Sequence, residues 1–229
     1  MALIKTKTEL IAIAAACRIT DDIFFATMRD FRFRTEAELA RHIRREIARR
    51  GLRMAFPPIV TSGSRAGNSI HPKPTDAVLE GFVIIDFGVR VKGYCSDMTR
   101  TVYVGKPTKK EREFYALVAR AKRAGERAAH AGGNCAAADA AARKTLGPYR
   151  KYFIHTLGHG VGRRIHEQPR LYFKKTEDIF KEGMVITIEP GIYIPNHLGI
   201  RIEDTYRVAK SGLVPLTKSP QKLLVFKAR

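Results

Sequence analysis

Two apolar stretches of this chain each run into an acid that a sheet would bury. Residues 83–88 read VIIDFG and residues 185–191 read VITIEPG, so that each strand-like run meets a carboxylate followed within two residues by glycine. Further on, SDMTRTV (96–102) and IEDTYRV (202–208) each set an acid two residues before a threonine. Asp86 and Asp97 stand 11 residues apart, and Glu189 and Glu203 stand 14 apart, the mark of one structural unit used twice. Such halves are expected to face each other, each offering two carboxylates. Alternation along a strand puts Asp97 on one face with Thr99, and Glu203 on one face with Arg201 and Thr205. Any single acid could cap a strand end or pair with Arg100 or Arg201. Four buried together would repel strongly at low effective dielectric, and an unpaired ionised carboxylate is prohibitively costly to bury. Two divalent cations cancel that charge.

The segment FIHTLGHGVGRRIHEQP (153–169) holds three of the seven histidines. Gly158, Gly160 and Gly162 argue against a helix and let the backbone approach closely, so this is not the helical H-E-x-x-H of zinc proteases. GHGVG also lacks the spacing and the following helix of a dinucleotide fingerprint. His159 is the candidate imidazole. An oxygen-rich site with one or two imidazoles suits Mn, Co, Fe or Zn rather than a thiolate-bound structural zinc.

The rest of the chain reads as an α/β (α+β) fold with largely antiparallel pairing. Helical patterns cover residues 8–18, 35–50, about 108–130 and 136–145, and TEAEL (35–39) carries a capping box. Residues 54–74 are rich in Pro, Gly and Ser and read as strand and loop. Strand pairs are expected over 83–105, turning near Lys92 and Gly93, and over 184–194 with 199–209, and a short strand closes near 223–226. Cys17, Cys95 and Cys135 have no metal or redox spacing and read as small buried hydrophobes in a reducing cytosol. The run Leu10 to Cys17 reads as a buried helix rather than a signal, and nothing approaches the ~20 apolar residues of a membrane span. The net charge of +20 collects in runs such as RHIRREIARR (41–50). It reads as solvated surface or as a weak affinity for nucleic acid, the ribosome or acidic peptides, with no nucleic-acid-binding motif beside it.

Asp86, Asp97, His159, Glu189 and Glu203, inside IIDFG, SDMTRT, GHGVG, IEPGIY and RIEDT, resemble the pita-bread metallopeptidases, the family of methionine aminopeptidases, aminopeptidase P, prolidase and creatinase. The resemblance covers residues 8 to 226. It implies a pita-bread fold, a pseudo-two-fold duplicated antiparallel sheet backed by helices, and a cytoplasmic enzyme that uses two divalent metal ions (Mn, Co, Zn or Fe). Asp86 would chelate one ion, Asp97 and Glu203 would bridge both, and His159 and Glu189 would complete the other. His166 is similar to a histidine of methionine-type and proline-type members, His155 resembles only the Xaa-Pro branch, and His71 fits a substrate-facing histidine. TKSP (217–220) also resembles prolidases. The implied activity is hydrolysis of the N-terminal bond of short peptides, of Xaa-Pro type. Glu189 would be the general base, and His166 and His71 would steady the oxyanion. His71, His155, His166 and Arg201 would contact substrate, with Arg201 also orienting Glu203. Removal of N-terminal methionine and non-catalytic RNA or ribosome binding are the alternatives. Residues 1–229 are expected to form one catalytic domain without the separate N-terminal domain common in proline-type members, and a homodimer is expected.

Overall fold

Three of the four helices begin on the same device. In this computed structural model, which describes residues 3–175 and 177–228, Thr6, Thr35 and Thr108 each accept the backbone N–H of a glutamate three residues on, whose side chain returns to the threonine N–H. These boxes start α1 (Lys7–Arg29), α2 (Glu36–Arg49) and α3 (Lys109–Ala128), and the Asn134 side chain starts α4 (Cys135–Leu146). Satisfying the orphan N–H groups of the first turn fixes where each helix begins.

After each helix pair the chain repeats one order of strands. In the first half β1 (Arg53–Met54) and β2 (Ile59–Ser62) lead to β3 (Gly81–Phe87). A small hairpin, β4 (Val89–Val91) with β5 (Tyr94–Cys95), then precedes β6 (Met98–Val104). In the second half β7 (Gly158–Gly160) and β8 (Glu167–Leu171) lead to β9 (Val185–Ile188). The hairpin β10 (Gly191–Ile194) with β11 (Leu198–Arg201) then precedes β12 (Asp204–Ala209). With β13 (Gly212–Pro215) and β14 (Val225–Phe226), the main sheets run β14-β6-β3-β2 and β13-β12-β9-β7-β8. The central pairs β3/β6 and β9/β12 are antiparallel, as the duplicated motifs predict.

Each helix pair covers the outer face of its own sheet. Val83, Ile85 and Phe87 pack with Ile23, Leu39 and Ile43 of α1 and α2, while Ile186 and Ile188 pack with Val118, Ala121 and Ala138 of α3 and α4. Strand alternation therefore turns Ile84 and Asp86 of one half, and Thr187 with Glu189 of the other, towards the space between the sheets. The halves are joined there by hydrogen bonds among backbone groups and threonine hydroxyls. Glu203 N–H donates to the Thr99 carbonyl at 3.1 Å, Arg201 N–H donates to Thr101 Oγ1 at 3.1 Å, and Thr205 Oγ1 donates to the Asp97 carbonyl at 2.7 Å.

Several elements differ from the sequence reading. α1 runs on to Arg29 because Asp21, which interrupts the apolar pattern, is buried and accepts from the Lys218 N–H, the Ser219 N–H and the Ser219 hydroxyl at 2.6–2.8 Å. The two long strand pairs are each split by a hairpin, whose first turn places Lys92 and Gly93 at φ 50° and 84°. The histidine segment forms β7 and β8, β13 is an added edge strand, and β14 pairs in parallel with β6. Cys17, Cys95 and Cys135 are buried and free of disulfides. Among the described residues no helix is long and apolar enough to cross a membrane.

Candidate metal centre

Asp86 lies within β3, opposite Thr99 of β6, while Asp97 immediately precedes β6. Glu189 and Glu203 continue the β9/β12 register just past Ile188 and just before Asp204. His159 is the middle residue of β7, which pairs with β9 through Gly160 and Ile186. The glycines on either side of it are structural requirements. A Cβ on Gly158 would lie 2.0 Å from the Thr187 carbonyl oxygen, and one on Gly160 would lie 2.1 Å from that of Gln168. Only a glycine-flanked strand can slip between β8 and β9 and bring its imidazole over the acids.

The five predicted donors meet at one place, and all but Glu189 are buried there. Nδ1 of His159 lies 3.0 Å from its neighbour's carbonyl, that of Gly160, and so carries the ring proton. Nε2 then presents a lone pair to Asp97 Oδ2 at 3.5 Å and Glu189 Oε1 at 3.3 Å. Three acceptors aimed at one another need a cation or an extra proton between them. Donors arranged tetrahedrally at about 2.0–2.2 Å from one ion stand about 3.3–3.6 Å from each other, which brackets the 3.3 and 3.5 Å found from His159. One ligand atom each from Asp97, His159 and Glu203 falls within 4.8 Å of the others. Asp86 Oδ1 is buried with no hydrogen-bond partner among the described residues, although its Oδ2 receives Arg201 Nη2 at 2.6 Å. An orphaned carboxylate oxygen in this setting, together with the oxygen and imidazole donor set, fits a divalent metal.

The protonation of the cluster carries the same message. Burial first, and then Glu203, Asp86 and Glu189, hold the Asp97 carboxyl well above its ordinary range. Burial, with Glu189 and Asp86, does the same to Glu203, and burial raises Asp86 against the pull of Arg201. Burial also works to raise Glu189, but His159 overrides it and, when the extra proton rather than a cation sits between the two, brings it to about 2. The pocket without a metal thus favours protons on Asp86, Asp97 and Glu203, and a dication removes the reason.

Around the donors lies a polar support that alternation alone did not assign. Arg201 was expected beside Glu203. β11 ends at Arg201, so its guanidinium crosses to the other half and engages Asp86, Tyr193 OH at 2.7 Å, Thr99 Oγ1 at 3.1 Å and the Ile70 carbonyl at 3.2 Å. It reaches Glu203 only through Thr99, whose hydroxyl donates to Glu203 Oε2 at 2.6 Å. Tyr193 OH in turn lies 3.0 Å from His155 Nε2, and His155 Nδ1 lies 2.8 Å from the Thr156 carbonyl. Burial lowers His155 to about 4, so the ring is neutral and this chain of hydrogen bonds has one direction, from Arg201 through Tyr193 to His155. Behind Glu203 a second buried group ties Asp204 Oδ1 to Arg100 at 2.5 Å and Asp204 Oδ2 to Lys122 at 2.7 Å, and Thr217 and Gln221 of the tail bind the same carboxylate.

Two cavities meet at the acids. The inner one, about 270 Å³, is lined by Ile70, His155, Thr156, Arg170, Arg201 and the shared His71, His159, His166 and Glu189. The outer one, about 570 Å³, reaches Asp86, Asp97 and Glu203 and has walls of Phe56, Pro57, Pro58, Ile59 and Ile165. His166 stands edge-on to His159 with ring centroids 4.4 Å apart, and His71 is exposed at the mouth. Sequence reasoning missed Tyr193 and Arg170. Tyr193 sat unremarked inside IEPGIY, and the signal for Arg170 was its alternation with Gln168 along β8, just after His166.

Twin helix-backed sheets that close on a pocket of four carboxylates and one imidazole define the pita-bread class of metallopeptidase folds. The chain belongs to metallopeptidase family M24, whose sequence profile matches residues 12–210. An Xaa-Pro dipeptidase of Pyrococcus furiosus is 41% identical over 228 residues, covering 97% of this chain and 65% of that protein. Among solved structures, an Xaa-Pro dipeptidase from Bacillus anthracis superposes with a TM-score of 0.92 at 38% identity, over 97% of this chain and 64% of that one. An X-Pro aminopeptidase from Thermotoga maritima gives 0.92 at 33% identity over the same shares. The chain spans about 65% of the length of the curated relatives it matches.

Proposed function

We propose that this chain is a metal-dependent dipeptidase that cleaves the bond before proline in Xaa-Pro dipeptides, with residues 1–229 acting as one catalytic domain. The observation that carries the reading is the meeting of His159 Nε2, Asp97 Oδ2 and Glu189 Oε1 at 3.3–3.5 Å beside the orphaned Asp86 Oδ1. A pair of divalent ions bound there supplies an acidified water and a polarised carbonyl.

The chain's own residues do the rest. Glu189 takes the proton of the attacking water. His71 and His166, which line both cavities, face the carbonyl oxygen as charge develops on it. The inner cavity takes the second residue. A proline there brings no amide N–H and a stiff ring, which suits walls of Ile70, His155 and Thr156. Arg201 is committed to Asp86 and Tyr193 and so acts on this pocket by holding His155. Arg170 lines the same cavity with no ion-pair partner among the described residues. It is the cation left to receive a free carboxylate, which favours dipeptides over longer chains. The names carried by the Pyrococcus and Bacillus relatives support the same substrate class. A cytoplasmic location, a homodimer and a weak affinity of the +20 surface for nucleic acid belong to the same reading.

The test is turnover by protein stripped of metal and reloaded with Mn, Co or Zn, offered Xaa-Pro, Met-Ala and Xaa-Pro-Yaa peptides. Xaa-Pro dipeptides are expected to be cleaved fastest. Faster cleavage of Met-Ala, or none of any peptide with every metal, would overturn the proposal.

A further inference from the structure

We infer that the outer cavity selects peptides whose first residue has an acidic side chain, and that Arg44 and Lys73 are the groups that read it. The inference rests on the dipeptidase reading and deepens it.

Asp86, Asp97 and Glu203 line the outer cavity and are absent from the inner one. An amino terminus held at the ions therefore leaves the first side chain in the outer cavity, while the second residue goes towards Arg170. The cavity is built for a side chain with an apolar stem. Phe56, Pro57, Pro58, Ile59 and Ile165 form its walls, and Arg44 and Lys73 stand on its lining with no acid paired to either among the described residues. Glu46, the acid of the Arg-rich run on α2, binds Arg49 through Oε1 and Arg50 through Oε2, both at 2.8 Å, and leaves Arg44 uncompensated.

Both cations are held by one framework. Glu36, at the start of α2, is fully buried and accepts the Thr75 N–H and hydroxyl at 3.0 Å each. It also pairs with Arg65 at 3.3 Å, and Arg65 reaches the Lys73 carbonyl at 3.4 Å. Pro72 and Pro74 flank Lys73 and restrict its backbone. The helix that presents Arg44 thus also fixes the loop that presents Lys73. Once the four acids are neutralised by bound ions, the charge left in the cavity is that of Arg44 and Lys73, inside the field of a chain of net charge +20.

The experiment measures kcat/KM of one metal-loaded preparation for Glu-Pro, Gln-Pro and Lys-Pro, and for Glu-Ala, Gln-Ala and Lys-Ala. Ratios within one enzyme cancel differences in folding and metal content. The Glu-to-Gln ratio is expected to be about 3–10, the reach of two exposed ion pairs, with Lys poorest, and it should shrink towards one as salt screens the charges. Arg44→Glu with Lys73→Glu should invert the order. A Glu-to-Gln ratio at or below one in the native enzyme, or a preference unchanged in the double variant, would overturn the inference. The Ala series separates the two claims, since acidic preference there without proline cleavage would sink the proline reading alone. Where no peptide turns over, calorimetric Kd values give the same ranking, and equal values for Glu and Gln peptides would refute it.

Discussion

Removing the Arg201 side chain should destabilise the metal-free protein far more than the metal-loaded one. Arg201 and Asp86 meet at 2.6 Å with side chains 3% and 9% exposed, and the other oxygen of Asp86 has no hydrogen-bond partner among the described residues. In Arg201→Met, which keeps much of the packing volume, Asp86 becomes an unpaired buried carboxylate, and Thr99, Tyr193 and the Ile70 carbonyl each lose a donor. Breaking one partner of a buried ion pair costs about 3–5 kcal/mol. For a chain of this size each kcal/mol lowers Tm by about 2–4 °C, giving a drop of about 6–20 °C without metal. A dication on Asp86 replaces the lost charge, so saturating Mn should recover more than half of that drop. The assay is thermal unfolding of both proteins with chelator and with excess Mn. An equal drop in the two conditions, or a drop under about 2 °C without metal, would refute the argument that Asp86 is shared between a guanidinium and an ion.

Three further expectations come from the same geometry. Asp97 has a carboxyl raised above its ordinary value of 3.8 by burial and by its acidic neighbours, so its contribution to stability is present below that value and is lost as pH rises through the folded pKa. Metal-free Asp97→Asn should therefore gain on the wild type as pH rises, and a gap in chemical-denaturation stability that stays flat from acid to alkaline pH would contradict this. His155→Ala should lower kcat/KM for Xaa-Pro dipeptides by at least about tenfold, within the range of one positioning interaction, while metal content by elemental analysis stays at the wild-type value; equal loss of both would make His155 a ligand or a structural post. Gly160→Ala should displace β7, because its Cβ would sit 2.1 Å from the Gln168 carbonyl oxygen, and should weaken Mn binding in calorimetry by at least about tenfold; unchanged binding would show that the strand can shift without moving His159.

The duplicated acids were legible in the sequence because burying a carboxylate inside an apolar strand needs a reason, and two such strands share one. Their glycine-flanked histidine was legible for a similar cause, since Gly158 and Gly160 make room for backbone carbonyls 2.0–2.1 Å from where a Cβ would be. What escaped depends on the meeting of distant segments. Nothing local to α1 says that Asp21 will be capped by Ser219, 198 residues away, and so the apolar pattern alone carries the helix only to residue 18. Arg201 shares a strand face with Glu203 in sequence, yet it serves Asp86 of the other half because the chain leaves β11 at that residue. The helix repeat was also hidden, since α1 and α2 share no motif with α3 and α4 beyond their caps and are related only by where they pack.

The most direct test of the whole account is the number of divalent ions the pocket takes. Metal-free protein titrated with Mn and followed by calorimetry and electron paramagnetic resonance should bind two ions per chain in an exchange-coupled pair, with protons released from Asp97 and Glu203, and Asp97→Asn should lose the coupled signal. Failure to bind Mn, Co or Zn at any pH at which the protein is folded, or full binding retained by Asp97→Asn, would contradict the claim that this fold buries four acids because cations hold them.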